Sequence, residues 1–293
     1  MKYIVKHNTR YQYALSVSNC YNLAFVIPRA TNTQQVESTL ITLTPLATTR
    51  NTRTDYFGNL FLQFSIEQDH SELELSVTST IVVKDQPENN NLDFGNPCSY
   101  VKYLLQHRND IETLNAREYS LDSPMVQQHA ELATYAALSF AEDRPFLSAV
   151  MELTQRIFSD FTYDPQFSDV ATPLADVFKH KRGVCQDFAH LAIGCLRSLG
   201  FPARYVSGYL ETLPPSGEKK LVGADATHAW FAVYSPGEGW YEFDPTNNKM
   251  TGEQYITTAW GRDYSDVAPL KGVIFGGGHS PQLFISVDVQ RLE

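Results

Sequence analysis

Apolar and polar residues alternate with a period of two through the first third of this chain, and that pattern constrains the segment to β-sheet. Residues 9–15 alternate around Tyr11 and Tyr13, residues 36–46 through Leu40, Thr42 and Thr44, and residues 73–83 alternate again. A further run, 59–66, follows the turn-like Asp55-Tyr56-Phe57-Gly58-Asn59. Asn, Gly, Asp and Pro separate the runs, as expected of antiparallel strands. An all-β sandwich is the economical architecture. It ends near residue 96, because 85–98 turns polar and rich in Asn, Gly and Pro in the manner of a connector.

Helical spacing then takes over. Val101, Leu104 and Leu105 form a short apolar phrase, and Ser123-Pro124 reads as a cap and first position for a helix running through Val126, Leu132, Ala136 and Phe140. Arg144-Pro145 opens a second helix and Thr172-Pro173 a third. Strand-like runs return at 203–210, 229–234, 240–243 and 283–289. The fold class is therefore α+β, with a β-sandwich over 1–96 and a second unit over 97–293 whose helices lead into an antiparallel sheet.

A chain of 293 residues is long enough for a full core in one large or two ordinary domains. Its formal charge of −10 and its lack of a basic, aromatic-interleaved patch argue against nucleic acid as a partner. No apolar run approaches a membrane span, and the first residues lack the apolar core of an export signal, so the expectation is a cytoplasmic protein without a membrane partner. The four cysteines are too few and too scattered for a disulfide scaffold, and they lack the paired spacing of a structural zinc site.

The chemistry begins at Gly183-Val184-Cys185-Gln186-Asp187-Phe188-Ala189-His190. Val184, Phe188, Leu191, Cys195 and Leu199 recur at intervals of four, three, four and four, which describes one helix face that Gly200 can end. Cys185 falls in the first turn, where unpaired amides and the positive end of the helix dipole favour a thiolate. Cys195 lies on the packing stripe; with Cys20 and Cys98 it reads as an inert, packed thiol.

A partner pair follows. The apolar runs around His228-Ala229-Trp230 and Trp240-Tyr241-Glu242-Phe243-Asp244 flank Ser235-Pro236-Gly237-Glu238-Gly239, which predicts a hairpin. A turn centred on Pro236 pairs Ala232 with Trp240 and sets His228 directly opposite Asp244, about 5 Å apart at Cβ. In that arrangement His228 can take the thiol proton and Asp244 can orient the imidazole.

These phrases, together with Pro202-Ala203-Arg204-Tyr205-Val206-Ser207-Gly208-Tyr209, Asp244-Pro245-Thr246-Asn247 and Gly261-Arg262-Asp263-Tyr264-Ser265-Asp266, resemble the bacterial transglutaminase-like family, within the broader papain-like cysteine-enzyme group. Asp55-Tyr56-Phe57-Gly58-Asn59 extends the resemblance into the first region, so it spans nearly the whole chain. It implies an N-terminal β-sandwich joined to a transglutaminase-like catalytic domain, with Cys185, His228 and Asp244 as nucleophile, base and orienter.

Gln186, Asp187, Arg204, Trp230, Arg262 and Asp263 are candidates to support the triad or bind substrate. Arg262 and Asp263 either pair with each other, gate substrate or belong to a structural loop. The expected function is a cysteine-dependent amide hydrolase, a peptidase working through an acyl-thioester. The partner is a peptide or protein amide, and no cofactor is expected. An amine acceptor in place of water would make the same residues a transamidase, and a catalytically silent binding module is the third reading. Zinc on Cys185, His190, His228 and Asp244 is disfavoured, because the spacing matches no standard ligand pattern.

Overall fold

Five strands follow one another from the N-terminus of the computed structural model: β1 (Lys2–Ala24), β2 (Gln34–Thr44), β3 (Thr49–Thr54), β4 (Leu60–Ile66) and β5 (His70–Val83). The structure describes residues 1–84, 92–212, 227–279 and 281–292, so residues 85–91 of the expected connector lie outside the described residues. Next come α1 (Cys98–His107), α2 (Ile111–Arg117), α3 (Ala130–Ala137), α4 (Phe146–Asp160), β6 (Thr162–Tyr163), α5 (Leu174–His180), β7 (Arg182–Gly183) and α6 (Cys185–Ser198). The remaining elements are β8 (Ala203–Leu210), β9 (Thr227–Ser235), β10 (Gly239–Asp244), β11 (Lys249–Met250), β12 (Tyr255–Gly261), α7 (Tyr264–Val267), β13 (Leu270–Gly276) and β14 (Gln282–Leu292).

The expected antiparallel β unit is present as one continuous sheet curled into a half-barrel. Strand β1 is long enough to serve both halves. Its residues 2–12 pair with β5 and β14, and the register then shifts before residues 17–24 pair with β13 and residues 20–24 with β4. Such an irregularity bends a strand and raises its twist, which lets the sheet close over its own apolar face. Val17, Leu62, Phe64, Leu73 and Leu75 fill the resulting core.

The run at 283–289 was expected in the second unit's sheet, but it lies within β14 and pairs with β1. The division at residue 96 therefore misses that the chain returns to the first sheet after residue 269. The return is long-range pairing, which local periodicity does not encode.

The second unit is built on α6. Eleven of its fourteen residues are buried, among them Phe188, Leu191, Ala192, Cys195 and Leu196. Each large apolar side chain so buried contributes about 1.5–3 kcal/mol. One side of the helix meets the antiparallel sheet β11-β10-β9-β8-β12 through Tyr205, Phe231 and Val233, and α4 completes the core. The expected helix at Ser123-Pro124 begins later, at Ala130. Ser123 and Val126 instead close on each other in a turn, and the Met125 amide is taken by the Asp263 carboxylate at 2.8 Å. The helices expected after Pro145 and Pro173 are α4 and α5.

Candidate active site

Cys185 is the first residue of α6 and is partly exposed, whereas Cys20, Cys98 and Cys195 are buried. Burial pushes the Cys195 thiol well up from its ordinary value and that of Cys98 up to about 11. The segment before Cys185 is fixed from two directions. Tyr163 of β6 pairs in parallel with Gly183 of β7, and the Asp187 carboxylate reaches back to accept the Val184 amide at 2.8 Å. Ser168 donates to the same carboxylate oxygen at 2.5 Å. Burial raises the Asp187 carboxyl against the lowering effect of these two bonds. A Cβ on Gly183 would lie 2.6 Å from Asp187 Oδ2 and 2.7 Å from Asp187 Cβ, so only glycine admits this clamp.

The hairpin β9–β10 supplies His228 and Asp244, in a register that differs by two residues from expectation. Ala232 pairs with Glu242, and Tyr234 with Trp240. The connection has three residues and is centred on Gly237, not Pro236. Gly237 and Gly239 adopt φ of 84° and 103°, and the Glu238 amide closes on the Ser235 carbonyl. Positive φ is open to glycine, and three-residue loops of this kind close hairpins readily. A shift of two preserves the face because side chains alternate. Asp244 thus falls beside Trp230, diagonal to His228, and His228 Nε2 donates to Asp244 Oδ2 at 2.7 Å.

Asp244 is fully buried and saturated with donors. Its Oδ1 accepts the Thr246 and Asn247 amides at 2.8 and 3.2 Å, while Oδ2 accepts Asn247 Nδ2 at 2.6 Å and the Tyr255 hydroxyl at 2.7 Å besides His228. Burial opposes the charge, but these donors outweigh it and hold the carboxyl below its ordinary value. Burial likewise opposes protonation of His228, yet hydrogen bonds with Asp244 and Cys185 raise its pKa to about 10. The imidazole, only 10% exposed, is bonded to the buried carboxylate, and both Asp244 and Cys185 favour its protonated form.

The other candidates divide by what they touch. Trp230 is buried beside His228, with ring centroids 6.0 Å apart, and donates Nε1 to Glu242 at 2.7 Å. Gln186 Nε2 points to the Val170 carbonyl at 3.5 Å. Arg204 lies away from Cys185, in a cavity of about 1050 Å³ between the curled sheet and the second unit, stacked over Trp240 and Trp260 at 4.2 and 3.8 Å. Arg262 makes a two-pronged ion pair with Asp266, both contacts at 3.0 Å. It does not pair with Asp263, which is buried and accepts from the Met125 and Ser265 amides. His190 accepts the Tyr264 amide through Nε2 at 3.1 Å. The sequence reading missed Ser168, Asn247 and Tyr255. Asn247 was visible in the Asp-Pro-Thr-Asn phrase, but nothing local signals that Tyr255 reaches Asp244.

Known proteins agree with this architecture. The family description "Transglutaminase-like superfamily" matches residues 134–245, and "Bacterial transglutaminase-like N-terminal region" matches residues 3–83. Rv2569c of Mycobacterium tuberculosis is 36% identical over all of this chain and 93% of its own length. A candidate cysteine protease from Cytophaga hutchinsonii has the same fold, with a TM-score of 0.77 at 23% identity, covering 100% of this chain and 91% of that one. The periplasmic domain of TgpA from Pseudomonas aeruginosa aligns over 83% of this chain and 87% of that one at 20% identity, with a TM-score of 0.41. That domain is periplasmic, against the cytoplasmic placement expected from the sequence, which is not retained. No helix among the described residues is long and apolar enough to cross a membrane. By its match to Rv2569c and to both family descriptions, this chain belongs to the transglutaminase-like superfamily, in the group that carries the bacterial transglutaminase-like N-terminal region.

Proposed function

We propose that this chain is a cysteine-dependent amide hydrolase acting on peptide bonds, with Cys185 as nucleophile, His228 as base and then acid, and Asp244 as orienter. Membership of the superfamily supports a cysteine-dependent acyl-transfer or hydrolytic mechanism on peptide or protein substrates. The observation that carries the finer reading is the His228 ring, held by the buried Asp244 carboxylate at 2.7 Å, with the partly exposed Cys185 thiol among the groups that raise its pKa.

Because Asp244 accepts from Nε2, the proton on that nitrogen is fixed and Nδ1 is left for the thiol. Nδ1 takes the Cys185 proton, and the sulfur attacks the amide carbonyl carbon while the carbonyl π pair moves to oxygen. The Cys185 backbone amide, in the first turn of α6, has no partner within the helix and is a donor for that oxyanion. Collapse breaks the C–N bond, and Nδ1–H protonates the departing amine. Water then attacks the thioester as Nδ1 takes its proton; breaking the C–S bond releases the acid and restores the thiol.

The test compares the native chain with Cys185→Ala on peptide and γ-glutamyl substrates, each with and without a primary amine. Amide cleavage that disappears in Cys185→Ala at an unchanged melting temperature supports the reading. Turnover that survives the substitution overturns it. Amine incorporation outpacing hydrolysis would assign a transamidase on the same acyl-thioester.

A further inference from the structure

The outer edge of the second unit's sheet is held by side chains of the first. β12 is the edge strand, hydrogen-bonded to β8 on its inner side. On its outer side the side-chain amide of Gln34 pairs with the Thr257 backbone in both directions. Gln34 Nε2 donates to the Thr257 carbonyl at 2.8 Å, and the Thr257 amide donates to Gln34 Oε1 at 2.9 Å. Asn59 repeats the device at Trp260, donating to its carbonyl at 2.7 Å and accepting from its amide at 2.9 Å. Both side chains are buried, at 3% and 0% exposure. Two carboxamides thus stand where a neighbouring strand would, satisfying backbone groups that an uncapped edge leaves open.

Two residues before Thr257 on this strand is Tyr255, 5% exposed, whose hydroxyl donates to Asp244 Oδ2 at 2.7 Å. Its ring stands edge-on to Trp230 at 5.3 Å, with Lys249 Nζ 5.2 Å above it. The groups facing the Asp244 carboxylate are therefore His228 from β9 and Tyr255 from β12, with Asn247 from the turn after β10. Lys249 of β11, paired with Asp244 across the ladder, stands over the Tyr255 ring, and Cys185 of α6 lies beyond the imidazole.

We infer that Tyr255 is a positioning residue for the Cys185–His228–Asp244 array, and that the N-terminal domain acts on the reaction by fixing β12 through Gln34 so that the Tyr255 hydroxyl stays on Asp244. This rests on the catalytic reading of those three residues. Tyr255 touches no reacting atom. Its hydroxyl stabilises the Asp244 carboxylate in the state that orients imidazolium. Without that donor the carboxylate protonates at a higher pH and releases the imidazole sooner as pH falls.

The test uses iodoacetamide on the full chain, following alkylation of Cys185 by mass spectrometry from pH 3.5 to 9. This readout needs no peptide substrate, so a chain that cleaves no peptide still reports on the array. In Tyr255→Phe, which keeps the ring against Trp230, the acid limb of the rate profile is expected to move up by about 0.5–1 pH unit, with the neutral plateau changed less than threefold. Gln34→Leu is expected to move the limb in the same direction. The double variant should move it no further than Tyr255→Phe alone, because both act through one bond. An acid limb unmoved in Tyr255→Phe overturns the inference, even if the melting temperature falls. Fully additive shifts overturn the link to the N-terminal domain. If Gln34→Leu does not fold, Gln34→Glu takes its place, keeping an acceptor for the Thr257 amide while losing the donor to its carbonyl.

Discussion

His228 and Asp244 meet at 2.7 Å although they are not cross-strand partners: Asp244 lies diagonally across the β9–β10 ladder, beside Trp230. Diagonal neighbours lie about 7–8 Å apart, somewhat less between Cβ atoms, a gap that an imidazole and a carboxylate bridge together. The offset gives the carboxylate room for other donors. Five groups point hydrogens at Asp244, and none offers it an acceptor.

Asp244→Asn follows directly from that count. Whichever way the amide is turned, its NH₂ group faces donors, so one buried bond becomes a repulsion costing about 1–3 kcal/mol. The imidazole also loses the acceptor that fixes its tautomer, a change worth about 10⁴-fold in a serine protease triad. A fall of 10³-fold or more in turnover, with the melting temperature lowered by several degrees, is the expected result. Turnover within tenfold of native would show that Asp244 does not orient His228.

Gly183→Ala tests the clamp at the other end of the array. The new methyl would overlap Asp187 Oδ2 and Cβ at 2.6 and 2.7 Å, forcing the carboxylate off the Val184 amide. Overpacking of this kind costs about 1–3 kcal/mol. Because the displaced segment leads straight into Cys185, the alkylation rate of Cys185 should fall about tenfold or more along with the melting temperature. A variant that melts lower but alkylates at the native rate would mean the clamp supports the fold without aiming the thiol.

Some of this was legible in the sequence, and the reasons differ by element. Helix α6 was readable because its large apolar residues recur with the 3.6 period from Val184 to Leu199, although burial runs unbroken from Asp187 to Arg197. The facing of His228 and Asp244 was readable because an even slip in register keeps parity, although the turn glycines moved the centre of the loop by one residue. β3 was hidden because Thr49-Arg50-Asn51-Thr52-Arg53-Thr54 is exposed throughout and carries no apolar alternation. β13 and β14 were hidden as partners of β1, because pairing between opposite ends of the sequence leaves no local trace. Tyr255 was missed for the same reason: its place on Asp244 depends on how β12 docks against β8.

The Gly261-Arg262-Asp263-Tyr264-Ser265-Asp266 segment separates a scaffold role from a substrate gate. Arg262 is partly exposed and its ion pair with Asp266 is worth about 0–1 kcal/mol, so Arg262→Ala should leave the melting temperature nearly unchanged. Asp263 is fully buried and holds the Met125 and Ser265 amides, and its loss strands them at about 1–3 kcal/mol each. Asp263→Ala should therefore lower the melting temperature by well over five degrees, read by calorimetry. If Arg262→Ala instead raises KM strongly at unchanged stability, the arginine is a substrate contact.

Acid should weaken the fold through two buried histidines. Burial lowers the pKa of His7 to about 4, and both its ring nitrogens meet neutral hydroxyls, of Tyr209 and Thr9, at 2.9 Å. Burial likewise lowers His190 to about 4, with Asp263 opposing, and its Nε2 must stay unprotonated to accept the Tyr264 amide. Both histidines bind a proton near pH 6.5 once unfolded, so at these two sites the unfolded chain holds more protons than the native one between pH 6.5 and about 4. Stability is then fully present above 6.5 and is lost as pH falls through that window, by up to about 1.4 kcal/mol per pH unit for each histidine. His228 has the opposite sign: raised to about 10, it contributes stability below 6.5 that disappears as pH rises through 10. Melting temperatures taken from pH 7 to 4.5 should fall steadily, and His7→Gln should remove about half of the slope. A flat profile across that range would mean that the two buried imidazoles take up protons without disturbing the fold.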